Sequence, residues 1–232
     1  MELDIEPNLL ETDIAQKSYN YAKNPTANFD PNKLVFRDEE NSQWKFSVRL
    51  DNLDEFQQRT ECLVCSRKCM YYCAECKKPL ECTKDVIPQV ILPVKIDIVK
   101  DRRESNSKST AVHAKIISPN EITLYDDNET LPEYDAKKTV LVFPSKEAIP
   151  LQELPNHKRI SRIVFIDATW KQAHQLSKSP ALKQLVRVRL ENHTTLYWRY
   201  QTGEPDKSLA TIEVIGGIFI WFLDAFKDSY NF

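Results

Sequence analysis

Glycine is nearly absent from this chain, and its absence limits the kinds of ligand site that the chain can build. The 232 residues include three glycines, Gly203, Gly216 and Gly217, whereas average usage of about 7% would supply roughly sixteen. Phosphate-binding P-loops and dinucleotide-binding G-x-G-x-x-G turns need glycines where the backbone closely approaches a phosphate. No segment here can supply either motif. A nucleotide-like ligand would therefore be held by side chains and by non-glycine loop backbone.

Composition predicts a globular chain with one core and an appendage, since 41% of its residues are hydrophobic. The acidic start lacks the basic and apolar regions of a signal peptide, and the longest apolar run, Val214–Leu223, is too short to span a bilayer. We therefore expect a soluble intracellular protein with no membrane partner and no obligate protein partner. The net charge of −2 conceals two basic blocks, residues 61–119 and 158–232, each with 11 basic and 7 acidic side chains. The two blocks could form one basic patch in the fold.

The sequence divides into three segments of different texture. Residues 1–57 are acidic and poorly patterned, residues 58–86 hold all six cysteines, and residues 87–232 alternate short apolar runs with helical stretches. Strands that alternate with helices predict an α/β domain with a mostly parallel sheet and flanking helices. The predicted strands are Val94–Val99, Ile122–Tyr125, Val140–Phe143, Ile163–Ile166 and Val186–Leu190, and the predicted helices are Thr110–Ile117, Thr169–Ser177 and Leu209–Phe222.

The cysteine segment predicts a structural zinc site. Two C-x-x-C pairs, Cys62/Cys65 and Cys73/Cys76, can present four thiolates to one tetrahedral ion, which leaves no open coordination position for catalysis. An intracellular chain rarely keeps structural disulfides, so a metal is favoured over a crosslink. Redox-active or merely buried cysteines are the alternative, and Cys69 or Cys82 could replace a ligand. Neighbouring cations, such as Lys77, should lower the pKa of the thiols.

Three further stretches carry candidate ligand-binding residues. In "KSTAVHAK", Ser109 or Thr110 could cap a helix or bind an anion there, and His113 is a base, an RNA contact or a structural histidine. In "RIVFIDATWKQAHQL", Asp167 falls at the carboxyl end of a buried strand, where open α/β sheets bind ligands. The alternative is that Asp167 or Thr169 caps the next helix and Trp170 fills the core. "TTLYWRYQTGEPDKSLATIE" mixes aromatic rings with cations, which suits an unstacked RNA base or an ordinary strand and turn.

These stretches together resemble the DTW-domain family of tRNA-uridine aminocarboxypropyltransferases, in its eukaryotic type 1 branch. The resemblance rests on Asp167-Ala168-Thr169-Trp170, the paired cysteines, "LPVKIDIVK", "KSTAVHAK", "VLVFP" and "YWRYQTGEPDKSLATIE" in this order, over about residues 58–222. It implies a SPOUT-like α/β fold and transfer of the 3-amino-3-carboxypropyl group of S-adenosylmethionine to N3 of a uridine in tRNA. It also implies release of 5′-methylthioadenosine, a D-loop uridine as acceptor and a nuclear location, with the cytoplasm as the alternative.

The chemistry implied by this resemblance assigns roles to the candidate residues. Asp167 is the candidate catalytic residue, as the base for the N3 proton, as a partner of the sulfonium or as a contact to the acceptor edge. An RNA methyltransferase and a zinc-stabilised RNA-binding protein without catalysis are the alternatives. Compared with the family pattern, Ala210 replaces a serine, and the domain over residues 87–232 is expected to have a shortened C-terminus. The candidate cofactor- or substrate-binding residues are Ser109, Thr110, His113, Thr169, Trp170, Arg199, Thr211 and Glu213.

Overall fold

The computed structural model describes residues 53, 55–126, 131–155, 157–191 and 210–226. The extension expected over residues 1–57 lies almost entirely outside the described residues, and Arg199 lies outside them as well. The described helices are α1 (Ala111–Ile117), α2 (Trp170–Leu176) and α3 (Thr211–Phe226). The described strands are β1 (Thr60–Glu61), β2 (Lys68–Cys69), β3 (Tyr72–Cys73), β4 (Lys78–Pro79), β5 (Lys95–Lys100), β6 (Ile122–Tyr125), β7 (Thr139–Val142), β8 (Ile149–Pro150), β9 (Arg162–Asp167) and β10 (Val186–Arg189).

Six of these strands form one sheet in the order β6-β5-β9-β7-β10-β8, and every pairing is parallel. Strand β9 lies between β5 and β7, and its register pairs Asp167 with Lys100 at the end of β5. The carboxyl ends of parallel strands meet at one edge of the sheet, which is the edge where open α/β sheets bind ligands. The expected position of Asp167 at that edge is confirmed.

Helices cover both faces of the sheet because the strands alternate their apolar side chains between the two faces. Ile163 and Phe165 of β9 pack with residues of α1 and α3 in one core, which contains the fully buried Ile98. Val164 points to the other face and packs in a second core with Ala173 of α2. The fold is therefore a three-layer α/β structure, and the predicted fold class is confirmed.

The cysteine segment precedes the sheet and forms two small antiparallel pairs, β1 with β2 and β3 with β4. Its own core consists of Cys62, Cys73 and Leu80. These two-residue strands and the edge strand β8 were not predicted, since two residues carry no readable periodicity.

All five predicted strands and all three predicted helices are present, with most boundaries shifted by one or two residues. Helix α3 begins two residues later and ends four residues later than predicted, and it continues through Gly216 and Gly217 as expected. A Cβ atom on Gly216 would meet no other atom within 4 Å, so packing does not require glycine there. None of the helices in the described ranges is long and apolar enough to cross a membrane.

A buried carboxylate lies in the middle of the sheet, at Asp97 of β5. The side chain of Asp97 is fully buried, and Arg162 Nη1 donates a hydrogen bond to its Oδ1 at 2.6 Å. Burial raises the pKa of Asp97, and the Arg162 guanidinium opposes that rise. The ion pair thus compensates for a charge that the apolar sheet would otherwise exclude.

We expect Arg162→Met to lower the free energy of unfolding by about 3 kcal/mol at neutral pH, because it leaves a buried carboxylate without its cation. A raised pKa means that the native state keeps a proton that the unfolded state releases, so stability falls as pH rises above the ordinary value of 3.8. The deficit of the variant should therefore be smaller at pH 4 than at pH 7 in urea unfolding. Arg159→Met, at an exposed position, is the control, and equal losses in both variants would contradict the prediction.

Candidate functional site

The carboxylate of Asp167 is held by hydroxyl groups from two distant parts of the chain. Ser109 Oγ donates a hydrogen bond to Oδ2 at 2.5 Å, and Thr211 Oγ1 donates one to Oδ1 at 2.7 Å. The first donor precedes α1 and the second begins α3, so both lie on the sheet face that these helices cover. Each oxygen keeps a further lone pair for a ligand. The site is a carboxylate of fixed orientation at the ligand-binding edge.

The predicted capping role of Ser109 and Thr110 is wrong in its detail. Thr110 is the N-cap residue of α1, but no side chain caps the helix. Its Oγ1 instead accepts a hydrogen bond from the amide of Ile212 at 3.4 Å, and Ser109 is committed to Asp167. Both hydroxyls therefore join α1 to α3 and β9 and leave the first turn of α1 without a side-chain cap.

The start of α3 carries two of the predicted binding residues. Thr211 is half-buried against Asp167. Glu213 Oε2 accepts a hydrogen bond from the amide of Ala210 at 2.7 Å, which satisfies a free donor at the helix start.

Thr169 and Trp170 follow Asp167 directly and begin α2. Gln172 Oε1 accepts hydrogen bonds from the backbone amide of Thr169 at 3.0 Å and from its Oγ1 at 2.6 Å, so Thr169 has the predicted N-cap position. Trp170 is 58% exposed. This exposure excludes the alternative that Trp170 fills the core. It also means that a large aromatic ring is accessible three residues after Asp167.

Sequence reasoning missed the charged residues at the end of β5. Lys100 is the register partner of Asp167, and its side chain is 3% exposed. Its ammonium group donates to the carbonyl oxygen of Glu104 at 2.7 Å and lies 3.2 Å from Asp126 Oδ1. The only sequence signal was a lysine at the end of an apolar strand, a position usually assigned to the surface.

The next residue, Asp101, ties the loop after β5 to the site. Its amide donates to the carbonyl oxygen of Asp167 at 3.1 Å. Its carboxylate accepts hydrogen bonds from Nε and Nη2 of Arg103 at 2.9 and 2.8 Å, and the side-chain bond with Arg103 lowers the pKa of Asp101 to about 2. The Arg103 side chain is 65% exposed. This fork of two hydrogen bonds fixes the Arg103 guanidinium on the loop that follows β5.

His113 contacts the cysteine segment, as expected for a structural histidine. Its Nε2 lies 2.6 Å from the hydroxyl oxygen of Tyr72, and the two rings meet edge to face with centroids 5.1 Å apart. Burial lowers the pKa of His113, so the neutral ring is favoured. Whether a ligand also contacts His113 stays a prediction.

The four cysteines of the two C-x-x-C pairs converge on one point. The sulfur atoms of Cys62, Cys65, Cys73 and Cys76 all lie within 4.8 Å of one another. Cys62 Sγ is 3.8 Å from Cys76 Sγ, and Cys65 Sγ is 3.5 Å from Cys73 Sγ. A tetrahedral zinc ion with bonds of about 2.3 Å requires sulfur atoms roughly 3.8 Å apart. The arrangement fits that requirement, so this cluster can hold a metal ion.

The residue that follows each cysteine pair has the same unusual backbone conformation. Ser66 follows Cys65 with φ of 58°, and Lys77 follows Cys76 with φ of 54°. Left-handed backbone is uncommon for residues with a side chain, and a glycine-poor chain has used serine and lysine there. We name residues 62–66 the first knuckle and residues 73–77 the second knuckle. Their matching turns explain how each pair presents two sulfur atoms in one direction.

The thiol pKa values depend on backbone amides rather than on the cations expected from the sequence. Hydrogen bonds from the amides of Val64 and Cys65 lower the pKa of Cys62 to about 7. The hydrogen bond with Cys65 raises the pKa of Cys76 to about 12, because four adjacent thiols cannot all ionise without a cation. Cys69 packs beside the cluster, whereas Cys82 is exposed and lies 3.7 Å from Thr60 Oγ1.

Comparisons with known proteins match this chain to one family. The profile described as the DTW domain matches residues 70–228. The chain is 34% identical over 201 residues to tRNA-uridine aminocarboxypropyltransferase 1 of Mus musculus, and the match covers 68% of this chain and 66% of that protein. It is 31% identical over 218 residues to the Homo sapiens protein of the same name, covering 75% and 71% of the two chains. No solved structure matches.

A more distant relative is named for the same activity. tRNA-uridine aminocarboxypropyltransferase 2 of Drosophila melanogaster is 28% identical over 157 residues, covering 61% of this chain and 62% of that protein. The chain thus spans about two thirds of the length of the mouse relative. The matched region contains Asp167, both of its hydroxyl partners and the second knuckle.

We expect Thr211→Val to lower the free energy of unfolding by about 1 to 2 kcal/mol, because it removes the hydrogen bond to Asp167 Oδ1 while keeping the side-chain shape. Amide exchange in the first turn of α3 should increase at the same time, as measured by hydrogen–deuterium exchange. Thr123→Val, at an exposed position of β6, is the matched control. A result in which both variants behave alike would show that the Thr211 hydroxyl does not secure α3.

Proposed function

Since this chain belongs to the DTW-domain family, we propose that it is a tRNA-uridine aminocarboxypropyltransferase. Its substrates are S-adenosylmethionine and an unpaired uridine of tRNA, most simply in the D-loop. The observation that carries the proposal is the Asp167 carboxylate, fixed by Ser109 and Thr211 at the carboxyl edge of the sheet. The exposed ring of Trp170 lies just after it in the chain. The nuclear location implied by the family resemblance stays a prediction.

The reaction requires control of orientation. The sulfonium of S-adenosylmethionine bears three carbon atoms, and the one that faces the acceptor reacts, so the site must align the aminocarboxypropyl carbon with uridine N3. As the N3–C bond forms, the C–S bond breaks and its electrons remain on sulfur in neutral 5′-methylthioadenosine. The proton on N3 passes to a carboxylate oxygen of Asp167.

The residues around Asp167 are consistent with this reaction. Ser109 and Thr211 hold the two oxygens so that the carboxylate does not rotate. Uridine N3 takes part in Watson–Crick pairing, so the acceptor must be unpaired or flipped out of a stack. Trp170 offers an exposed ring on which such a base can stack. Arg103, held by Asp101, supplies an exposed guanidinium for a phosphate of the RNA backbone.

The four-cysteine cluster holds a structural zinc ion in this proposal. Four sulfur ligands complete a tetrahedral site, so the ion supplies stability to the cysteine segment and no chemistry to the transfer. The sulfur spacing and the two matching knuckles support this assignment. Cys69 and Cys82 are left outside the ligand set.

We expect the full chain, incubated with S-adenosylmethionine and tRNA, to yield an aminocarboxypropyl-uridine and 5′-methylthioadenosine, as detected by nucleoside mass spectrometry. Asp167→Asn should slow the transfer by about 10²- to 10⁴-fold, since the amide accepts no proton but can still bond both hydroxyls. Asp85→Asn, at an exposed position, should keep the wild-type rate.

Three other results would contradict parts of this proposal. Full activity of Asp167→Asn would exclude the carboxylate as the base. S-adenosylhomocysteine as the product would indicate methyl transfer instead. Salt-sensitive tRNA binding without any modification would indicate an RNA-binding protein that lacks catalysis.

For the metal, we expect one zinc ion per chain by elemental analysis. Cys73→Ser should lose the ion and lower the melting temperature of the cysteine segment, because three sulfur ligands bind it less tightly. Cys82→Ser, which changes an exposed cysteine outside the cluster, should keep one ion per chain. A fully folded wild-type chain without metal would refute the zinc assignment.

A further inference from the structure

We infer that the second knuckle, together with Tyr72 directly before it, positions the Asp167 site, with Tyr72, Glu75 and Lys77 as the positioning residues. The inference deepens the proposed function, because it gives the metal-binding segment a role in binding S-adenosylmethionine as well as in stability. It rests on three contacts that leave the cysteine segment from within six consecutive residues, 72–77. Each contact reaches a different element around Asp167.

The first contact joins Tyr72, directly before the knuckle, to α1. The hydroxyl oxygen of Tyr72 lies 2.6 Å from His113 Nε2, and the two half-buried rings pack edge to face. His113 is in the first turn of α1, and its amide donates to the carbonyl oxygen of Thr110. Tyr72 therefore contacts the helix immediately after the two hydroxyl residues that reach β9 and α3.

The second contact joins the knuckle to the loop before α1. Asn106 Nδ2 donates to Glu75 Oε2 at 3.2 Å, and the other oxygen of Glu75 accepts from Arg67 Nη1 at 3.2 Å. The amide of Ser109 donates to the carbonyl oxygen of Ser105 in the same loop. The loop that carries Ser109 thus has an internal backbone hydrogen bond and a side-chain hydrogen bond to the knuckle. Glu75 is partly exposed, so this contact is the weakest of the three.

The third contact joins the knuckle to the ends of β5 and β6. Lys77 Nζ lies 2.6 Å from Asp126 Oδ2, and Lys100 Nζ lies 3.2 Å from Asp126 Oδ1. The Lys77 and Lys100 side chains are only 18% and 3% exposed, and the Asp126 carboxylate forms an ion pair with each of them. Lys100 is the register partner of Asp167. Two ion pairs that share Asp126 therefore link the knuckle to Lys100, the residue beside the candidate catalytic carboxylate.

The first knuckle shows that this arrangement is not a general property of the cysteine pairs. Its two central residues, Leu63 and Val64, are 84% and 72% exposed and face solvent. Ser66, at its left-handed position, makes a backbone hydrogen bond to Cys62 within the knuckle. The second knuckle is the one turned toward the sheet. Because Cys73 and Cys76 alternate with the three positioning residues, an ion on the cluster would hold all three in place.

The two left-handed positions supply a matched pair of variants. Lys77→Gly and Ser66→Gly both relax a residue from positive φ, but only Lys77→Gly removes the ion pair with Asp126. Tyr72→Phe and Tyr71→Phe form a second pair, since each removes one hydroxyl from neighbouring tyrosines and only Tyr72 bonds His113. All four changes spare the cysteines, so zinc content should stay at its wild-type value.

The test uses the full chain with its metal and compares hydrogen–deuterium exchange over residues 101–117. We expect Lys77→Gly and Tyr72→Phe to speed exchange there by about three- to tenfold, the range for the loss of one hydrogen bond. Ser66→Gly and Tyr71→Phe should match the wild type, and Lys77→Arg should restore the slow exchange. The dissociation constant for S-adenosylmethionine should rise by a similar factor in the first two variants and stay unchanged in the controls.

The two readouts separate the inference from the proposed function. If exchange over residues 101–117 is the same within each matched pair, the positioning role is wrong, whatever the activity of the chain. If exchange differs as expected but the wild type binds no S-adenosylmethionine, the positioning role stands and the proposed function fails. If exchange differs and affinity does not, the knuckle orders the loop without contributing to the ligand site, which overturns the inference.

Discussion

The two hydrogen bonds to the Asp167 carboxylate connect elements that lie far apart in the sequence. Asp167 ends β9, Ser109 precedes α1 and Thr211 begins α3, and the donors are 58 and 44 residues away from the acceptor. The side chain of Asp167 points to the same face of the sheet as Ile163 and Phe165, whose burial holds α1 and α3 in place. The orientation of the carboxylate therefore depends on how α1 and α3 pack on the sheet. The two hydrogen bonds to the carboxylate in turn help to hold those helices in place.

The cysteine segment extends this network beyond the sheet. Its own core contains few residues, Cys62, Cys73 and Leu80 with two partly buried cysteines, and so small a core gives little stability without an ion. From this segment, Tyr72 contacts α1 and Lys77 contacts Asp126, directly after β6. The four-cysteine cluster and the candidate active site are thereby parts of one connected network in this chain.

Local patterns in the sequence predicted most of the elements and the edge at which the site lies. The β-branched run before Asp167 indicated a buried strand, and parallel connectivity followed from alternation of strands and helices. The partners of Asp167 could not be predicted, because they depend on the register of β9 against β5 and on where α3 packs. The burial of Lys100 has the same origin, since Asp126 becomes its partner only when β6 lies beside β5.

The source of the low thiol pKa shows a further limit of sequence reasoning. Lys77 and Arg67 lie near the cysteines in the sequence, but they bind Asp126 and Glu75, and backbone amides lower the pKa of Cys62 instead. Scarcity of glycine was informative in a different way. It excluded glycine-rich phosphate loops, and it left the left-handed positions of the knuckles to Ser66 and Lys77. A glycine at the second position could not have contacted Asp126.

The order of strands in the sheet also sets an order of assembly. Strand β9 separates β5 from β7, so the central pairings must wait until a segment more than sixty residues beyond β5 has joined them. Contacts of such long range form slowly. The cysteine segment, by contrast, closes its pairs within about fourteen residues and is synthesised first. During synthesis, this segment can therefore form its own contacts before the sheet exists, and α1 and β6 then pack against a preformed surface.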